Sequence, residues 1–199
     1  MGCGARTEGV GALVQQLRNG LEVAHQTPST SVAYNKFFKG VDPTVVKGVL
    51  SGLAIRLNIP NQGQPWRPKI FCANRNMPRL VPHGEICQDR SLYATASRRY
   101  QYVFLCQKIF SLKGRPDATD CAGTLAHGLG PTGQSLARTQ MTILLHELVD
   151  IYLVSRPGMR PLRSKVFGLN AVIDLPASKS VINPANYVFY VASTSLALM

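Results

Sequence analysis

The chain has 199 residues, 45% of them hydrophobic, and carries 22 Lys and Arg against 10 Asp and Glu, a formal net charge of +12. That length fits one domain able to bury roughly 70% of its unfolded surface, and the apolar residues fall in short runs that never approach the ~20 of a membrane-spanning helix. The charge favours acidic partners, but the basic residues are scattered from Arg67 and Lys69 through Arg98 and Arg99 to Arg163 and Lys165, without a run or a nucleic-acid motif.

In chain order, Val10, Leu13, Val14, Leu17 and Leu21 recur at helical spacing, so the pattern predicts a first amphipathic helix over Gly11 to Gln26, ending near Pro28. A second helix starts at Asp42-Pro43, where a capping side chain precedes a proline at the first helical position. Its apolar stripe is Val45, Val46, Val49, Leu50, Leu53 and Leu57. Asn58 to Arg67 reads as a loop, and Lys69 to Ala73 and Ser91 to Ala96 read as short strands. Tyr100 to Phe110 is a third strand or the start of a helix, and periodicity does not decide between them. Asp117 to Gln134 reads as a second loop. It leads into a helix from about Thr139 to Ser155 that is apolar nearly all round and therefore expected to be buried. The turn Arg156-Pro157-Gly158 stops it. A further helix begins near Gly168, and a last one at Asn183-Pro184.

The five cysteines, Cys3, Cys72, Cys87, Cys106 and Cys121, lack the Cys-x-x-Cys pairs of structural zinc or redox sites. Their wide spacing fits disulfides in an oxidising compartment, and the odd count leaves one thiol over. Met1 to Gly20 has no charged patch followed by an apolar run, so either a secretion signal is missing from this chain or the protein stays inside the cell. Arg6 stands where a myristoylation motif needs Ser or Thr.

His146, Glu147 and Asp150 are ionisable groups on an otherwise greasy helix, and buried charge is costly unless paired or bound to metal. Residues four apart share a face, so His146 and Asp150 can hold one metal ion with Glu147 beside them. The zincin pattern His-Glu-x-x-His uses this geometry: two histidines bind zinc and the glutamate activates the bound water as general base. In this chain an aspartate takes the second histidine's place. The plainer alternative makes His146 a satisfied core histidine, Glu147 the partner of a nearby Arg and Asp150 a solvated residue.

The downstream sequence favours the metal-site reading. With Leu144-Leu145-His146-Glu147-Leu148 opening the motif, Phe167-Gly168 after a loop, and Asn183-Pro184-Ala185-Asn186-Tyr187 starting the last helix, the chain resembles the deuterolysin-like aspzincin metalloendopeptidases of fungi. Tyr34-Asn35-Lys36-Phe37-Phe38 and the order of the internal cysteines extend the resemblance over most of the chain. It implies a single zincin-like α+β domain over 1–199, mostly helical with a small antiparallel sheet: N-terminal helices and sheet in 1–115, metal-site and C-terminal helices in 135–199. It also implies zinc as cofactor, a peptide or protein substrate, secretion to the extracellular space, and disulfides Cys3–Cys72 and Cys87–Cys106. Cys121 would lack its family partner, which leaves a free thiol or a chain cut short after Met199.

Carried over residue by residue, His146 is the first zinc ligand, Asp150 stands at the second, and Glu147 is the catalytic base. The family's third ligand, an aspartate, falls in Pro161-Leu162-Arg163-Ser164-Lys165, which has no acid, and the family's tyrosine becomes Phe167. A catalytic zinc keeps three protein ligands, so a third would come from Asp174, from His127, or from nowhere. Positive charge at Arg160, Arg163 and Lys165 would oppose a divalent cation. Two functions follow: a zinc metalloendopeptidase, or a catalytically inactive peptidase-fold protein that binds acidic partners through its basic surface. A monomer is expected in either case. A nucleic-acid binder would rest on Tyr93, Tyr100 and Tyr102 among Arg90, Arg98 and Arg99, which strand residues explain more simply. His25 at a helix end and His83 in a turn read as structural. A phosphate-loop Lys-Ser or Lys-Thr pair and a Gly-x-Ser-x-Gly elbow are both absent.

Overall fold

The computed structural model describes residues 7–57, 68–72, 87, 92–115, 138–162 and 166–196. Among them the periodic segments form the expected helices. Helix α1 spans Thr7–Gln26, four residues earlier than the apolar repeat suggests, and α3 spans Pro43–Leu57. The Asp42 Oδ1 atom accepts from the Thr44 amide at 2.9 Å, so the predicted Asx-Pro start is the real one. Between them lies α2, Val32–Phe38, capped by Ser31, whose hydroxyl accepts from the Tyr34 amide at 3.1 Å. Its seven residues are too few for a periodic signal. It exists because Tyr34, Phe37 and Phe38 bury against aromatic residues far along the chain.

The strands are β1 (Lys69–Cys72), β2 (Ala94–Ser97) and β3 (Tyr102–Leu105), in the order β1-β3-β2. The ambiguous stretch Tyr100 to Phe110 does both things that its pattern allowed: β3 is followed by a 3-10 helix over Gln107–Ser111. The sheet, expected to be antiparallel, is mixed. The tight turn over 98–101 forces β2 and β3 into an antiparallel hairpin, with Gln101 in the left-handed region at φ 56°. The longer link out of β1 lets it lie parallel to β3, Lys69 opposite Tyr102 and Cys72 opposite Leu105.

Helix α4, Gln140–Ser155, is the structural centre, touching α1, α3, β2, β3 and the last helix. A capping box opens it: the Thr142 amide donates to the Thr139 hydroxyl at 3.2 Å, and the Thr139 amide donates to the Thr142 hydroxyl at 3.0 Å. Two short helices follow, α5 (Leu169–Ile173) and α6 (Ala177–Ser180), and then α7 (Pro184–Leu196). Gly168 caps α5 with φ 94°, a conformation that a side chain would strain.

The core is built from α1, α2, α3, α4 and α7, with Leu169 and Val172 of α5 and with Ala94, Val103 and Leu105 as the sheet's contribution. Phe38 packs against Tyr187 and Tyr190, with ring centroids 4.9 and 5.5 Å apart, and Phe37 stacks on Phe189 at 6.0 Å. Two buried asparagines tie this corner together. Asn183 donates to Asn186 at 2.8 Å, and Asn186 donates to the Phe37 carbonyl at 2.7 Å and the Val172 carbonyl at 3.3 Å. Asn186 therefore joins α7 to the ends of α2 and α5. Cys87 pairs with Cys106, as the family resemblance implied, and Cys72 is also disulfide-bonded. Cys3 and Cys121 lie outside the described residues.

Candidate functional site

The three groups singled out on the central helix do lie together, but they are engaged differently from one another. His146 and Glu147 are both nearly buried, their side chains 12% and 13% exposed, and the His146 Nδ1 atom sits 3.2 Å from the Glu147 Oε1 atom. The His146 ring lies against Phe167, with centroids 5.2 Å apart and planes tilted by 31°. Its other nitrogen, Nε2, is buried and has no hydrogen-bond partner among the described residues. An imidazole nitrogen left bare in this way is unusual in a protein interior.

One helical turn on, the Asp150 side chain is 3% exposed and is gripped by Arg98. The Arg98 Nε atom donates to Asp150 Oδ2 and the Arg98 Nη2 atom to Asp150 Oδ1, each at 2.9 Å. This is the bidentate fork that guanidinium and carboxylate form at their best geometry. The sheet delivers it: β2 packs on α4, and the turn that ends β2 places Arg98 over the helix. The Asp150 hydrogen bonds and the nearby Glu147 charge hold the Arg98 proton even more tightly than usual, so Arg98 is a permanent cation here.

Sequence reasoning made Asp150 either a metal ligand or a solvated residue. It is not solvated, and both its oxygens accept from Arg98. That partner is 52 residues away. The only sequence signal for it was the general one, that charge on a buried helix face demands an opposite charge. Asp174, considered as a third ligand, follows the end of α5 and is exposed. His127, Arg163, Ser164 and Lys165 lie outside the described residues. Among the described residues, no three His, Cys, Asp or Glu side chains are grouped so as to hold a metal ion. These residues therefore do not fit a three-ligand catalytic zinc.

Two other features are separate from this site. A cleft of about 220 Å³ between α1 and α3 is lined by Arg18, Glu22, His25, Gln26, Ser51, Ala54 and Ile55. At the sheet, Lys69 lies over Tyr102 at 5.7 Å, Arg99 over Tyr100 at 5.5 Å and Lys108 over Tyr93 at 4.5 Å. Tyr102 is a strand residue, as expected, whereas Tyr100 lies in the hairpin turn and is 37% exposed.

No protein-family model matches the chain, and no curated protein matches its sequence. Among solved structures it is similar to a zinc peptidase from Grifola frondosa, with a TM-score of 0.58, 14% sequence identity and 96% of each chain covered. An identity that low speaks for the fold alone. The chain has the fold of a zinc peptidase, mostly helical with a small mixed sheet.

Proposed function

We propose that the chain is a non-hydrolytic protein built on the zinc-peptidase fold, acting by binding acidic partners through its basic surface. One observation carries this reading: both oxygens of Asp150, at the place of the second zinc ligand, are taken up by the Arg98 guanidinium. Two further points support it. The stretch that should supply a third ligand has no acid, and the net charge of +12 suits acidic partners. Three disulfide-bonded cysteines, Cys72, Cys87 and Cys106, favour an oxidising, extracellular setting.

A second reading, a zinc metalloendopeptidase with Glu147 as general base, is favoured by His146, whose ring lies beside Glu147 and whose buried Nε2 atom has no partner among the described residues. It requires a further donor from outside the described residues, such as His127. A peptide-library digest with added zinc separates the two. The non-hydrolytic reading predicts identical, background cleavage by the wild type and Glu147→Gln. Cleavage by the wild type that disappears in Glu147→Gln would overturn it.

A further inference from the structure

We infer that the face of the sheet turned away from the core is the surface that takes the acidic partner, and that this partner is an extended acidic polysaccharide. The inference deepens the reading of the chain as a binder of acidic partners and rests on it. Successive side chains of a strand point to opposite faces, and the register sorts them here. Ala94, Val103 and Leu105 face the core, with Ile70 and Ala96 packed against it. The alternate positions put Lys69 opposite Tyr102 and Phe71 opposite Phe104 on the other face. Phe71 meets Tyr102 edge-on at 5.1 Å and stacks on Phe104 at 5.6 Å, and Tyr100 extends the row by stacking on Tyr102 at 5.9 Å. These rings lie outside the core cluster, so packing of the core does not explain them.

Positive charge lies along the same row. The Lys69 ammonium is over the Tyr102 ring at 5.7 Å and the Arg99 guanidinium over the Tyr100 ring at 5.5 Å, distances at which the negative face of a ring holds a cation. Both cations are exposed, and Tyr100 is 37% exposed. The stretches 68–72 and 92–115, which carry the sheet, contain no Asp or Glu. A surface that interleaves rings and cations suits a chain whose units present an apolar face and a negative charge together. An acidic sugar does so: its C–H face lies on an aromatic ring while its carboxylate meets the neighbouring cation. An acidic peptide would engage the cations and leave the rings unused. Single-stranded nucleic acid would use both, but the disulfide-bonded cysteines favour an extracellular setting, where acidic polysaccharides are the common polyanions.

The test titrates the full chain, disulfides intact, with an oligogalacturonate in a calorimeter at low salt, beside maltohexaose, poly-L-glutamate and single-stranded oligothymidine. The inference predicts oligogalacturonate binding that fades as salt rises, none of the neutral maltohexaose, and weaker binding of the other two polyanions. Lys69→Gln, Arg99→Gln and Tyr100→Ala should each weaken oligogalacturonate binding roughly threefold or more. Lys179→Gln, which removes an exposed cation on α6, should leave it unchanged. If Tyr100→Ala does not fold, the two glutamine variants of the sheet carry the test. An equal loss from Lys179→Gln, or no loss from the sheet variants, overturns the inference and leaves the acidic-partner reading standing. Tighter binding of poly-L-glutamate or oligothymidine does the same and makes the partner a peptide or a nucleic acid. No binding of any polyanion overturns both.

Discussion

Removing Arg98 should weaken the fold by an amount that the geometry sets. Asp150 is 3% exposed and accepts two hydrogen bonds at 2.9 Å from Arg98. Breaking a fully buried pair by deleting one partner costs about 3–5 kcal/mol, because it strands the other charge. Arg98 is 43% exposed, so water can reach the vacated side of the carboxylate, and the expected cost of Arg98→Met falls to roughly 2–3 kcal/mol. For a domain of this size that is a fall in melting temperature of roughly 4–12 °C. Urea unfolding followed by circular dichroism, with disulfides intact, gives the free energy directly. The double variant Arg98→Met with Asp150→Asn removes the charge that has lost its guanidinium and should recover at least about 1 kcal/mol relative to Arg98→Met alone. Two results would refute the reasoning: a cost for Arg98→Met under about 0.5 kcal/mol, or purely additive losses in the double variant.

Three further outcomes follow from the packing. Gly52→Ala in α3 should destabilise by about 1–3 kcal/mol despite alanine's better helix propensity, because a Cβ there meets the hydroxyl of buried Tyr152; Tyr152→Phe in the same chain should recover part of the loss in a thermal melt. Asn186→Ala should cost about 2–4 kcal/mol by leaving Asn183 and the Phe37 and Val172 carbonyls without their partner, and hydrogen exchange should show α2 opening first. Burial pushes the Tyr34 and Tyr190 hydroxyls up to about 12 and raises Tyr187 further. These groups are held neutral in the fold, so their stabilising effect is complete below pH ~10 and is lost as pH rises toward 12. Ultraviolet titration should show them ionising only together with unfolding.

Much of the helical frame was legible because it rests on local rules. The repeat from Val10 to Leu21, the Asp42-Pro43 and Asn183-Pro184 starts, and the apolar run after Thr139 each encode a helix in their own residues. Less local features were not readable in this way. Helix α2 is held by rings on α7, and β1 pairs in parallel with a strand about thirty residues further on. Gly52 reads as a flaw in a helix until Tyr152, a hundred residues away, is seen to need its space. At the site, His146 and Glu147 could be singled out from their motif and Asp150 from its cost as a buried charge. What answers that charge could not, because Arg98 stands among many scattered basic residues, and only the sheet's packing on α4 selects it.

The most direct test of the central claim is zinc stoichiometry by elemental analysis on the folded wild-type chain, after equilibration with excess zinc and removal of free metal. The account predicts far less than one zinc per chain, unchanged by His146→Ala. Close to one zinc per chain, lost in His146→Ala, would contradict it and would mean that the Arg98–Asp150 pair opens to admit a metal ion.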